Sequence, residues 1–164
     1  YSTRFWSSKV AVDTLALQQE FKHNVALRAG CLELLDYLKS NGYSCWIATN
    51  ADCEGLKFKL EQTQIAHYFD VIMSSESIGY AKEYPEFWQK LHALHPFQIN
   101  QAYFIDDTEK VLNGAEKFGL QHLITIAQPS SKGQIRSESP YPILNHLTDF
   151  IAILEQAEDL KKYA

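Results

Sequence analysis

Short apolar runs recur along this chain, each followed by a stretch with helical spacing, and this alternation limits the fold more than any other feature. The runs are Cys45-Trp46-Ile47-Ala48, Val71-Ile72-Met73, Ala102-Tyr103-Phe104-Ile105 and residues 122–126. An unbroken apolar run of this length suits a strand buried on both faces of a sheet. Between the runs, Leu56, Phe58 and Leu60, then Phe87, Trp88, Leu91 and Leu94, carry the apolar stripes of amphipathic helices. Strands separated by helices must pair in parallel, so the expected architecture is α/β with a doubly wound parallel sheet.

Local signals set the element boundaries. Residues 1–26 read as helical, with Leu15, Leu17 and Phe21 among polar neighbours. A second amphipathic stretch begins after Gly30 and ends at the C-cap signal Asn41-Gly42. The first strand is expected over 44–49, the second over 69–73 and the third over 102–105. Pro85 suits the first turn of a helix, Thr108 an N-cap, and Gly119 a helix stop. Residues 128–142, rich in Ser, Pro and charge, read as a surface loop, and a last helix is expected over 146–162.

At 164 residues and 46% hydrophobic content the chain has material for one substantial core. Fifteen basic residues against twenty acidic ones give a net charge of −5, and the basic residues are scattered. That argues against nucleic-acid and membrane-surface partners, which need a basic stripe. The apolar runs are far shorter than a membrane span. No secretory signal opens the chain, and Tyr1 in place of Met suggests a trimmed or incomplete chain. Cys31, Cys45 and Cys53 form no CxxC pair, and an odd number closes no disulfide framework, so they read as reduced packing residues of a cytoplasmic protein.

Chemistry-bearing residues gather just past the strand-like runs, where doubly wound sheets bind their ligands. Thr49 and Asn50 follow the first, Lys82 lies in the loop after the second, and Asp106-Asp107 follow the third. The acidic pair suits Mg²⁺, which takes oxygen ligands and often only one or two from protein. It equally suits the N-terminus of the helix beginning near Thr108. Alone, Thr49-Asn50 reads as ordinary turn chemistry and Lys82 as a surface lysine. Together, a hydroxyl, an ammonium and two carboxylates can hold a phosphate and a divalent cation.

Taken in order, these residues resemble the haloacid dehalogenase-like (HAD) hydrolase superfamily. Its second motif ends in Ser or Thr, as in Trp46-Ile47-Ala48-Thr49-Asn50-Ala51; its third-motif lysine matches Lys82; its acidic fourth motif matches Phe104-Ile105-Asp106-Asp107-Thr108. Asn113-Gly114-Ala115 and Phe118-Gly119-Leu120 also resemble the helix after the fourth motif, and the likeness covers 27–128. A narrower resemblance is to the GMP/IMP nucleotidase branch, through Thr49-Asn50-Ala51, the segment 56–63, Phe69-Asp70 and Gly79-Tyr80-Ala81-Lys82-Glu83, where Ala81 replaces a common Pro. The stretch from Tyr1 to Phe21 resembles that branch's helical cap.

The resemblance implies a Rossmann-like HAD core over 27–164 and a remnant of the cap over 1–26. It implies a Mg²⁺-dependent phosphatase, in particular a purine 5′-nucleotidase, with a small phosphorylated substrate. Thr49 and Lys82 would be catalytic, Asn50 and Arg4 would contact substrate, and Asp106 and Asp107 would hold the metal.

One departure is large. The family's first motif is Asp-x-Asp at the end of a central strand, its first Asp the nucleophile and its second the general acid/base. No such segment occurs here: Asp13 is the only acid before Glu20, with no strand-like run ahead of it. The expectation is that an upstream segment of the native protein carries it, and that the present chain alone is inactive. A non-catalytic relative that binds a nucleotide or partner is the alternative. A phospho-receiver module, which uses similar residues, is disfavoured because its acidic pair precedes Thr and Lys.

Two further features read as packing or surface. His92 and His95 have no acidic or cysteine partner at metal-ligand spacing, so a solvated face is expected, and Phe87 and Trp88 read as core rather than a base-stacking shelf.

Overall fold

The computed structural model describes residues 3–10, 12–130 and 133–162. The chain forms two compact units. One combines the amino-terminal helices, as far as Leu27, with Ser44–Pro96; the other combines Arg28–Tyr43 with the chain from Phe97 onward.

In the first unit, α1 (Thr3–Val10) and α2 (Thr14–Glu20) are followed by a 3₁₀ turn at Lys22–Asn24. The helical reading of 1–26 therefore holds in three short pieces rather than one. Strands β1 (Trp46–Thr49) and β2 (Val71–Ser74) pair in parallel, Trp46 opposite Val71 and Thr49 opposite Ser74. Helix α4 (Cys53–Thr63) makes the crossover, capped by Asp52, whose Oδ1 accepts the Gly55 N–H at 2.8 Å. Gly55 is required there: a Cβ would stand 2.8 Å from that same oxygen.

β1 begins two residues later than expected. Ser44 precedes the ladder, and its hydroxyl donates to the Asp70 carboxylate at 2.6 Å, as does the Cys45 N–H at 3.1 Å. Nor is β1 buried on both faces. All four of its residues are half-buried, because a ladder of two short strands is too narrow for helices to cover completely. Past β2, a single turn α5 (Ser75–Ile78) leads by way of Lys82 to α6 (Pro85–Leu94), with Pro85 in its first turn as expected. Phe87, Trp88 and Leu91 on α6 are buried with Ile78, the core role expected for the two aromatics. His95 does not face solvent alone; its ring meets the edge of Trp46 with centroids 5.9 Å apart.

The second unit holds a three-stranded parallel sheet in the order β3–β4–β5: Tyr103–Asp106, His122–Ile126 and Ile143–Leu144. Helix α7 (Glu109–Phe118) joins β3 to β4 and stops at Gly119, whose φ of 120° lies outside the range L side chains favour. On the opposite face, α3 (Cys31–Ser40) and α8 (Asp149–Lys162) pack Leu34, Phe150 and Leu154 onto Ile124 and Leu144, with Tyr103 and Ile105 beside them. Helices on both faces of a parallel sheet make the arrangement doubly wound. α8 starts three residues later than expected, where the Asp149 carboxylate accepts the His146 N–H at 2.8 Å.

β5 was not expected, because Pro140 and Pro142 disguise it. It is an edge strand, where proline is tolerated, and the Pro142 carbonyl accepts the Thr125 N–H at 2.8 Å. Among the described residues, β1 pairs only with β2, and β3 only with β4.

Candidate functional site

The groups singled out in the sequence fall at the carboxyl ends of β1 and β3, in separate units. In the first, Thr49 is the last residue of β1, and its hydroxyl accepts the Ala51 N–H at 3.1 Å, turning the chain out of the strand. Asn50 then reaches the loop after β2. Its Oδ1 accepts the Lys82 N–H at 2.9 Å, and its Nδ2 donates to the Glu83 carboxylate at 2.8 Å. The Lys82 carbonyl accepts the indole N–H of buried Trp88 at 2.9 Å. Lys82 is only 7% exposed, which removes the surface-lysine reading. The β1 end and the lysine loop are thus one hydrogen-bonded assembly.

Sequence spacing marked Thr49, Asn50 and Lys82 but gave no sign that Trp88 and Glu83 hold the lysine loop. A cleft of about 520 Å³ in this unit, lined by Lys57 of α4, Ile72 of β2 and by His67 and Ser77, touches none of these groups.

In the second unit, Asp106 ends β3 opposite Thr125, half-buried, while Asp107 is exposed on the turn into α7. Asp106 Oδ1 accepts the Thr108 N–H at 2.9 Å, and the Thr108 hydroxyl donates to Asp107 Oδ1 at 3.1 Å. Thr108 is the N-cap residue by position, yet its hydroxyl serves Asp107 rather than the helix. Arg136, from the loop expected to be mere surface, donates to the Asp107 carbonyl at 3.1 Å and to the hydroxyl of fully buried Thr125. Its guanidinium also lies 3.7 Å from the Glu109 carboxylate.

Two carboxylates on one short turn form an all-oxygen donor set, which fits the chemistry of Mg²⁺ and leaves positions for water and phosphate oxygens. Among the described residues no group of three or more His, Cys, Asp or Glu side chains that could hold a metal gathers.

Arg4 falls on α1, and its side chain lies outside the described residues, as does Tyr1. Cys31, Cys45 and Cys53 form no disulfide; Cys31 and Cys45 are half-buried, while Cys53 is exposed and so is not a packing residue. Burial pushes the Cys31 and Cys45 thiols up, with the Asp70 charge adding to the effect at Cys45.

A strand-end hydroxyl, a buried lysine and an acidic strand end thus occur in the expected chain order, and comparison with known proteins gives the class. The profile of the haloacid dehalogenase-like hydrolases matches residues 6–125, and the chain belongs to that family. It is 28% identical over 145 residues to the GMP/IMP nucleotidase of Escherichia coli strain K12, covering 88% of this chain and 65% of the nucleotidase. A pyrophosphatase of Bacillus mycoides is 20% identical over 124 residues, covering 76% of this chain and 58% of that protein.

Among solved structures, a HAD phosphatase of Thermococcus onnurineus superposes with a TM-score of 0.74 at 20% identity, covering 92% of this chain and 69% of that one. A magnesium-bound HAD hydrolase of Bacillus subtilis gives 0.70 at 20% identity, covering 84% of this chain and 60% of that one. The chain thus spans a little under two thirds of the curated relatives it matches.

Proposed function

We propose that the full-length protein is a Mg²⁺-dependent phosphomonoester hydrolase that works through an aspartyl-phosphate, with purine nucleoside 5′-monophosphates such as GMP and IMP as its substrates. The observation that carries this reading is the buried Lys82, whose backbone N–H is tied to the end of β1 by Asn50 and whose carbonyl is held by Trp88. An ammonium carried by a loop fixed in this way suits an anionic substrate, and a phosphate is such an anion. The nucleotide class rests on likeness to the E. coli enzyme.

In this reading Thr49 gives a hydrogen bond to a phosphate oxygen, and Lys82 neutralises charge on the transferred group. Asn50, besides any contact with substrate, acts through Lys82 by fixing its backbone. Asp106 and Asp107 hold Mg²⁺, which when bound supplies positive charge at the phosphoryl oxygens. Arg4, in the cap remnant over 1–26, contributes to substrate selection, and the core spans 27–164.

The nucleophile is an aspartate on a strand outside this sequence, which contains no Asp-x-Asp segment. Support comes from the strand edges: β1 and β3 each have a partner on one side only among the described residues. The chain without that strand is inactive. A cytoplasmic location accords with the reduced thiols. Among the described residues no helix is long and apolar enough to cross a membrane.

Phosphate release from GMP, IMP and a generic aryl phosphate by the full-length protein, with Mg²⁺ and with a chelator, tests the proposal. Chelator-sensitive release is expected. Absence of release from all three substrates would leave a non-catalytic family member that binds a nucleotide or partner.

A further inference from the structure

We propose that Arg136 is a positioning residue for the acidic turn Asp106-Asp107, and that supplying it is the work of the 128–142 loop. The inference rests on the metal-binding reading of that turn for its consequence, though not for its geometry.

The geometry centres on one peptide plane. The Asp107 carbonyl and the Thr108 N–H belong to the same rigid amide. Arg136 Nη2 donates to the carbonyl at 3.1 Å, and Asp106 Oδ1 accepts the N–H at 2.9 Å. Gripped at both ends, the amide cannot rotate, and this fixes both the direction in which Asp107 leaves the strand and the rotamer of the Asp106 carboxylate.

Arg136 is itself well anchored. Its backbone N–H donates to the Ala127 carbonyl at 2.6 Å, just past β4. Nη1 donates to Thr125 Oγ1, and Thr125 is 0% exposed and registered against Asp106 in the β3–β4 ladder. Glu109 approaches the guanidinium at 3.7 Å and is held in turn by the Ser139 hydroxyl at 2.7 Å.

The root of the loop is pinned as well. Arg28 donates to the carbonyls of Gln128 and Pro129 at 2.7 and 2.6 Å. A rigid fork with donors at fixed angles can span Thr125 and the Asp107 carbonyl together; a lysine ammonium, a single point charge, serves one of them at a time. The arrangement is therefore about direction rather than charge.

Two measurements on the full-length protein test this. Metal-free amide hydrogen exchange reads the turn directly. In Arg136→Ala the Thr108 amide is expected to exchange about tenfold faster while Phe104 and Ile105 in β3 keep their wild-type rates. Mn²⁺ titration reads the consequence: outer partners of metal ligands typically matter by about 10–100-fold in affinity, and a loss in that range is expected.

Arg136→Lys is expected to exchange and bind like the alanine variant, and Thr125→Val to shift both readouts in the same direction. Unchanged Thr108 exchange in Arg136→Ala, or wild-type behaviour of Arg136→Lys in both readouts, overturns the proposal. If the wild-type protein binds no Mn²⁺, the metal reading of the turn fails, and the exchange result still decides the positioning role.

Discussion

Asn50 Oδ1 accepts the backbone N–H of Lys82 at 2.9 Å, joining two residues 32 positions apart at the mouth of β1. The other end of the same carboxamide donates to Glu83 at 2.8 Å. One side chain thus sets the path of the loop that carries the buried ammonium.

Replacing Asn50 by Ala removes both bonds and leaves the Lys82 N–H without its acceptor. A loss of about 1–3 kcal/mol in unfolding free energy is expected, the cost of a stranded buried donor. Asn50→Asp restores the acceptor but sets a carboxylate against Glu83, so it should rescue little. Urea unfolding of the two variants beside the wild type provides the check.

Lys82→Met keeps the length of the side chain and deletes its charge. In the full-length enzyme kcat should fall about 10²–10³-fold, the range for removing one preorganised electrostatic partner of the transition state. Folding should survive, since an apolar side chain is tolerated where Lys82 is only 7% exposed. A variant with near wild-type kcat would remove Lys82 from the mechanism.

Trp88→Phe isolates the indole N–H from the ring that packs α6. The Lys82 carbonyl loses its donor, and about 0.5–1.5 kcal/mol of stability should go with it. Leu112→Ala on α7, where Leu112 is 0% exposed, should cost more, about 2–5 kcal/mol, because it opens a cavity. Ranking the two by chemical denaturation tests both assignments.

Stability should fall on the alkaline side. Burial, reinforced by hydrogen bonds to Glu158 and Glu116, raises the Tyr43 and Tyr141 hydroxyls above their ordinary values, and burial raises Cys31 and Cys45. Groups with folded values above their unfolded ones bind protons more tightly when folded. Their stabilisation is complete below the unfolded values, about 8.5 for Cys and 10 for Tyr, and is lost as pH rises beyond them. The unfolding midpoint should therefore drop progressively above pH about 8.5. Tyr43→Phe should flatten the part of that slope near and above pH about 10. A midpoint constant through that range would contradict the assignment.

The alternation of apolar runs with helical stretches made the α/β class and the order of the main elements legible, since both depend on side-chain periodicity. The caps and stops at Pro85 and Gly119 were legible too, because their backbone preferences are intrinsic. β5 was not: two residues just after a pair of prolines carry no periodic signal, and only the neighbouring β4 makes them a strand. Thr49, Asn50, Lys82, Asp106 and Asp107 stood out by residue type and order. Arg136 and Trp88 did not, since a lone arginine in a Ser-rich loop and an indole in a core stripe look ordinary until the chain brings their partners alongside. Nor could spacing disclose that the Asn50 carboxamide spends itself on the lysine loop.

In the proposed function this chain supplies the phosphate- and metal-holding groups of a phosphatase whose nucleophile lies elsewhere. Acid-quenched peptide mapping of the full-length protein, caught during turnover of GMP, tests it most directly. A labile phosphate on an aspartate within a peptide outside residues 1–164 is the predicted result. A phosphate on any residue of the present sequence, or turnover by this chain alone, would contradict it.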